Sequence, residues 1–247
     1  MKSSILDTKV REFEDLFNQN LSDYVIAEKL GVNHCTVFQW RKKKGYLRES
    51  LKEGKLISLT QEQEEVLIGT LLGDSTLRIG KDCVNPRFSC THCLAQEEYC
   101  KHKEELFRNM GSSGSRNKNL QPDKRTGKVY NYYSMRVPAN PAFIPIYNAF
   151  YKNGIKVIPS ELFDKFTARS LAYLFMDDGS KHYTGYTIAT NCFSEENILE
   201  FRKFLFTKFN LETSMFKSKV LYIQAKSAEL FKELVTPYMH PTMLYKL

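Results

Sequence analysis

The 247-residue sequence predicts an α+β fold of two like halves, with a small all-α unit ahead of them. Three observations carry that reading. Residues 67–75 (LIGTLLGDS) and 171–180 (LAYLFMDDGS) are near copies, each an apolar run that stops on an acid, with Asp74 in register with Asp178. The flanks repeat too: Thr91-His92-Cys93-Leu94 matches Thr190-Asn191-Cys192-Phe193, and residues 142–159 parallel 228–247, each closing around a lysine in apolar surroundings, Lys156 and Lys246. Self-similarity that runs through the flanks marks a duplicated structural unit rather than a chance motif. Residues 1–46 lie outside the repeat and carry their own helical pattern.

In that front unit, residues 21–33 and 34–44 read as two helices joined by a turn at Gly31. Ala27, Leu30, Val37 and Trp40 face inward and Ser22 and Asn33 serve as N-caps, which is a helix-turn-helix layout. The second helix would offer His34, Thr36, Gln39 and Arg41 to a major groove and Lys42, Lys43 and Lys44 to phosphates, an ordinary helical hairpin being the alternative. Residues 47–59, with Glu49, Lys52, Glu53, Gly54 and Lys55, read as a linker, and the repeats span 60–160 and 161–247. Strands are expected at 76–79, 87–93, 129–137, 186–191, 215–219 and 220–225, where β-branched and aromatic residues lie between turn residues. The offset between copies falls from 104 residues at the aspartates to 99 at the cysteines and 90 at the lysines, so the second copy has lost loop rather than elements.

Both apolar runs are too short to cross a bilayer and long enough for two to three buried helical turns. Two such helices placed side by side bring their terminal acids together, which is tolerable where a divalent cation neutralises them. Paired acids around such a cation are the arrangement of metal-assisted phosphodiester hydrolysis. A Gly-Asp ending also punctuates ordinary helices, and it is the repetition that favours a site. A lysine near each acid would offset developing phosphoryl charge, against the bland alternative of two solvated surface lysines. Gly69 and Gly73 suit close helix approach. Asp177 stands where the first copy has Gly73, and is expected either to crowd that contact or to turn to solvent; Asp178 is then the ligand, with Gly73 and Asp177 counted in the metal site beside the two acids.

These motifs resemble the LAGLIDADG homing endonucleases of the single-chain, two-repeat, I-SceI-like kind, over roughly residues 60–247. The resemblance implies two αββαββα halves about a pseudo-twofold axis, with the motif helices packed at the centre and each half laying an antiparallel sheet into the DNA major groove. It implies that Asp74 and Asp178 bind the catalytic ions, Mg²⁺ or Mn²⁺, and that Lys156 and Lys246 polarise the attacking water or stabilise the pentacovalent phosphate. It further implies double-strand cleavage with four-base 3′ overhangs. The Asp177-Asp178 pair also occurs in that subgroup.

A net charge of +8 and an isoelectric point near 9.0 agree with a nucleic-acid partner. Between residues 112 and 136, Arg116, Lys118, Lys124, Arg125, Lys128 and Arg136 face one acid, Asp123, and alternate with tyrosines and amides, which reads as a strand-and-loop arm that follows a duplex. Arg78, Arg87, Lys181, Lys217 and Lys219 add basic positions on or beside the expected strands. Cys90, Cys93, Cys100, His92 and His102 invite a zinc site, but strand alternation sends Cys90 and Cys93 to opposite faces, which disfavours it. With no secretory signal or membrane span, the chain is expected to be non-secreted and intracellular, in a phage or bacterial cytoplasm or an organelle. Two unlike half-sites in one polypeptide make a monomer sufficient and the double-stranded DNA target long and asymmetric. Alternatives on the same scaffold are an intron RNA maturase and a DNA-binding regulator, and Met1 opening directly into the helical unit disfavours an intein.

Overall fold

The computed structural model describes residues 8–19, 21, 23–46, 57–80, 83–119 and 121–247. It has two compact units, Met1–Lys55 and Leu56–Leu247. The first holds helices α1 (Val10–Asn18), α2 (Asp23–Leu30) and α3 (His34–Lys44) around Phe13, Ile26, Ala27, Leu30, Val37 and Trp40. Helices α2 and α3 were expected from the sequence and α1 was not. Asn33 caps α3 as expected, its side chain accepting from the Cys35 amide at 2.8 Å. Gly31 takes φ +66° in the turn, a conformation that costs other residues more. The Ser22 cap and linker residues 49 and 52–55 lie outside the described residues.

In the second unit each half is built in the same order. The first half runs α4 (Gln61–Leu72), β1 (Ser75–Arg78), β2 (Arg87–Cys93), α5 (Glu97–Leu106), β3 (Ser113–Lys118), β4 (Asn131–Val137) and α6 (Ile144–Phe150), then a short hairpin of β5 (Tyr151–Lys152) and β6 (Ile155–Lys156). The second runs α7 (Ala168–Asp178), β7 (Gly179–His182), β8 (Gly185–Ile188), α8 (Glu195–Phe209), β9 (Thr213–Met215), β10 (Leu221–Ile223) and α9 (Ala228–Val235), and closes on a 3₁₀ helix, Pro241–Lys246. Both four-stranded sheets are antiparallel with matching strand order, β1-β2-β4-β3 and β7-β8-β10-β9. Strands β3 and β7 were not among the expected ones, because SGSRNK and GSKH lack the β-branched and apolar content that marks a strand locally.

Helices α4 and α7 pack on each other at the centre of one continuous core. Both open with a capping box, at Thr60 and Thr167, so their starts are fixed before the apolar run begins. Their N-terminal turns meet where Ser170 Oγ donates to the Glu65 carbonyl at 2.8 Å, and their C-terminal ends meet where Gly73 faces Asp177, so the helices run in the same direction. The approach requires glycine: a Cβ on Gly69 would stand 2.2 Å from the Ser170 carbonyl oxygen, and one on Gly73 would stand 2.5 Å from Asp177 Cβ. Parallel packing delivers both helix ends, and with them Asp74 and Asp178, to the same edge of the interface.

The strand register also revises one alignment. Ser75 pairs with Cys90, and its counterpart Gly179 with Ile188, so Cys90 matches Ile188 and Cys93 falls one residue short of Cys192.

Candidate functional site

Asp74 follows Gly73, the C-cap of α4, and Asp178 is the last residue of α7. Partial burial and the neighbouring Asp177 raise the Asp74 carboxyl above the ordinary carboxylate range, while Lys103 and Lys246 pull it back. Burial, then the charges of Asp74 and Asp177, push Asp178 up to about 6, against the opposing pull of Lys156 and Lys246. Each acid is therefore a carboxylate whose ionised form lacks full compensation from the protein, a condition that a bound cation relieves. The two lysines stand in matching places. Lys156 Nζ donates to the carbonyls of Gly73 and Ser75 at 3.3 and 3.1 Å, and Lys246 Nζ to those of Met176 and Asp177 at 2.5 and 3.1 Å. Each ammonium thus caps the backbone at the end of one motif helix, and its charge reaches across the interface: Lys156 opposes the rise of Asp178, and Lys246 that of both Asp74 and Asp178. Burial lowers the pKa of both lysines, and the surrounding aspartates oppose the shift.

The structure corrects the reading of Asp177. Its side chain neither crowds the helices apart nor turns to solvent; it is fully buried at their contact. Oδ1 accepts from Tyr99 Oη at 2.8 Å and Lys103 Nζ at 3.0 Å, and Oδ2 accepts from Thr70 Oγ1. Both carboxylate oxygens are consumed, so Asp177 is not a free metal ligand. Lys103, Tyr99 and Thr70 hold it ionised: burial acts to raise its pKa, but the Lys103 charge and the hydrogen bonds outweigh burial and leave it low. One oxygen or nitrogen each of Asp74, His92 and Asp177 lie within 4.8 Å of one another. That cluster already contains a cation, since the Lys103 ammonium sits 3.0 Å from Asp177 Oδ1 and 2.7 Å from His92 Nε2. Gly73 has only its carbonyl to offer, and Lys156 faces it. The oxygens that fit a hard divalent ion are the carboxylates of Asp74 and Asp178, with the adjoining backbone carbonyls beside them.

The zinc alternative is not supported by the geometry. Cys90 and Cys100 approach each other at 3.6 Å in the core, Cys93 is exposed, and His102 faces Tyr173 at 2.7 Å.

The open faces of the two sheets carry the candidate nucleic-acid contacts. In the first sheet, register places Thr76, Arg78, Arg87, Ser89, Thr91, Ser115, Asn117, Ser134 and Arg136 on the side away from the core. Arg78 and Arg87 are direct cross-strand partners, and with Arg136 they make no ion pair among the described residues. Like charges set opposite each other destabilise a sheet unless an anion lies between them. Lys124, Arg125 and Lys128 are exposed on the loop joining β3 to β4. The second sheet differs. Its open face bears Ser180, Thr187, Ser214 and an aromatic group of His182, Phe216 and Tyr222, with Phe216 stacked on Tyr222 at 5.5 Å, and exposed Lys217 beside it.

Five expected DNA-contacting residues are placed otherwise. Arg41 is buried in the front unit, donating to Asp23 Oδ2 and the Tyr46 carbonyl; it ties α2 to α3 instead of facing outward. Arg116 and Lys118 share the strand parity of Tyr133 and point to the opposite side of the sheet, where Arg116 is paired with Glu97. Lys181 has the parity of buried Tyr186 and donates to the Leu247 backbone oxygen at 2.8 Å. Lys219 turns back to the Phe193 carbonyl at 3.0 Å. His34 and Thr36 are half-buried on α3, while Gln39, Lys42, Lys43 and Lys44 are exposed.

Lys103, Tyr99 and the buried placement of His92 are not among the site features expected from the sequence. The available signal was position: Lys103 lies at a core spacing of α5, between buried Cys100 and Phe107.

A family model for LAGLIDADG DNA endonucleases matches residues 64–231, most of the chain and both motif helices. The chain belongs to the LAGLIDADG DNA endonuclease family. Within that family it is 26% identical over 209 residues to DNA endonuclease I-ChuI of Chlamydomonas applanata, covering 77% of this chain and 96% of that protein. It is 30% identical over 203 residues to the cytochrome b mRNA maturase bI2 of Saccharomyces cerevisiae, covering 74% of this chain and 46% of the relative. Among solved structures, the homing endonuclease I-WcaI bound to its DNA recognition sequence matches with a TM-score of 0.69 and 30% identity, over 81% of this chain and 91% of that one. The α+β architecture of two antiparallel-sheet halves is therefore the family's own.

Proposed function

We propose that the chain is a site-specific DNA endonuclease that hydrolyses one phosphodiester on each strand of a long, asymmetric duplex with divalent metal, Mg²⁺ or Mn²⁺, leaving 3′ overhangs. One observation carries it: each motif helix ends on a partly buried, undercompensated acid, Asp74 or Asp178, with a lysine, Lys156 or Lys246, bonded to the carbonyls beside it. The family membership and the DNA-bound relative support the same reading. Asp74 and Asp178 would hold the metal ions, whose chemistry when bound is to lower the pKa of water and to stabilise charge on the phosphate. Lys156 and Lys246, fixed by their carbonyl partners, present positive charge to the phosphoryl group as it gains negative charge. Arg78, Arg87, Arg136 and the loop cations Lys124, Arg125 and Lys128 would meet one half-site. Lys217 and the aromatic face would meet the other. Gln39, Lys42, Lys43 and Lys44 of α3 would lengthen the contact.

The maturase relative favours one further possibility on the same scaffold, intron RNA binding alongside or in place of cleavage. The deciding experiment incubates the protein with a randomised duplex library in Mg²⁺ or EDTA, beside Asp74→Asn and Asp178→Asn, and sequences new ends. Metal-dependent staggered cuts at one long site, reduced to single-strand nicks in either variant, establish the endonuclease. Specific binding of DNA or intron RNA without cleavage overturns it.

A further inference from the structure

The two halves break their symmetry at two places that touch each other. Helix α5 buries Cys100, Lys103 and then Phe107; α8 buries Ile198, Phe201 and Leu205 at the same spacing, so Lys103 takes the place of a phenylalanine. Asp177 takes the place of Gly73. The fully buried ammonium of Lys103 and the fully buried carboxylate of Asp177 are 3.0 Å apart across the interface between halves. Each charge would be prohibitive alone and is tolerable only with the other.

The pair also fixes His92. Lys103 has three N–H donors, directed at Asp177 Oδ1, Thr70 Oγ1 (3.1 Å) and His92 Nε2 (2.7 Å). An ammonium can only donate, so His92 Nε2 accepts and its hydrogen resides on Nδ1. That N–H is donated to Gln96 Oε1 at 3.1 Å, and Asp74 Oδ2 lies 3.6 Å from the same nitrogen, so the ring edge packs beside the carboxylate without a direct hydrogen bond to it. The imidazole is nearly inaccessible, with 1% of its side chain exposed, so it cannot swing away. Asp178 has nothing equivalent. In strand register the counterpart of His92 is Thr190, which bonds within its own half to the Lys219 carbonyl and the Leu221 amide. Among the described residues, no side chain forms a hydrogen bond or ion pair with the Asp178 carboxylate.

We infer that His92, locked by the Lys103–Asp177 pair, is a positioning residue for Asp74 alone, so that the strand cut at the Asp74 site depends on this network and the strand cut at the Asp178 site does not. The inference rests on the endonuclease reading. The test uses the duplex recovered by library selection, labelled differently on each strand, under single-turnover conditions in saturating Mg²⁺. Asp74→Asn and Asp178→Asn assign a strand to each acid. His92→Leu is expected to slow the Asp74 strand by about tenfold or more and the other by less than about twofold, so that nicked DNA accumulates. His92→Asn, whose amide N–H stands near the Nδ1 position, restores most of that loss. Lys103→Met lowers the melting temperature, and adding Asp177→Gly, which removes the second buried charge, recovers it. The recovered double variant still cuts the Asp74 strand slowly, which separates positioning from folding. Equal slowing of both strands, or no slowing in His92→Leu, overturns the inference while leaving the endonuclease standing. A wild-type protein that cuts nothing overturns both.

Discussion

The two halves of the catalytic unit share a backbone plan and differ in what they bury. Strand order, helix order and the lysine-to-carbonyl contacts at the motif ends are the same in both. Yet the first half carries a lysine where the second has Phe201, and the second carries an aspartate where the first has Gly73. The open faces differ as well: both carry small hydroxyls, joined by arginines on one sheet and by an aromatic group on the other. A duplicated scaffold keeps its symmetry where the same geometry must be delivered twice, here the two acids and two lysines. It relaxes that symmetry in the buried layer behind the acids and on the open faces of the sheets.

That comparison is most sharply broken at the buried pair. Lys103→Met strands the Asp177 charge and should cost about 3–5 kcal/mol in chemical denaturation, whereas Phe201→Leu at the symmetric place should cost less than about 1.5 kcal/mol. Equal losses would mean that Lys103 acts as a mere space-filler. Next are the paired lysines: Lys156→Met and Lys246→Met should each slow cleavage by about 10²–10³-fold, and strand-resolved rates should show each loss concentrated on one strand. Contacts on the two faces should separate by chemistry. Arg87→Ala or Arg136→Ala should weaken DNA binding by about tenfold and flatten its salt dependence, while Tyr222→Ala should weaken binding with the salt slope unchanged, as titrations at several salt concentrations would reveal.

The smallest effect is that of pH. Asp178 has a folded-state pKa of about 6 against an ordinary 3.8. The folded chain therefore holds a proton that the unfolded chain has released between those values, so metal-free stability declines as pH rises through that window and levels off above it. In the proposed metal site, protons and cations would compete for the same oxygens. At limiting Mg²⁺, cleavage should fall as pH drops below about 6, and added Mg²⁺ should move the midpoint downward; a midpoint indifferent to Mg²⁺ would detach Asp178 from the metal.

The doubled motif, the register of Asp74 with Asp178 and the matched lysines were legible in the sequence because each is written locally and then repeated. The two-half fold followed from the same repetition. Asp177 was not legible, since its fate depends on Lys103, Tyr99 and Thr70 arriving from the other half. Lys103 itself sits in the run EEYCKHKEEL, where charge all around suggests a solvated helix. Only alignment with the apolar face of α8 exposes it as an interior position. Arg116, Lys118 and Lys181 were counted as DNA-facing on charge alone. Their side is set by a one-residue register choice in β3 and β7, strands whose composition hides them. Arg41 was misread for a similar reason: its partner, Asp23, is on the preceding helix.

The Lys103–Asp177 contact also limits how this molecule could be recombined. Two copies of the first half, joined as a symmetric dimer, would bring two interior ammoniums and no acid to the seam. Two copies of the second would set one interior carboxylate against another. A chimera that takes either half from a protein lacking the matching charge inherits the same defect unless position 103 or 177 is changed with it. Specificity engineering by half-swapping must therefore treat these two residues as one heritable unit.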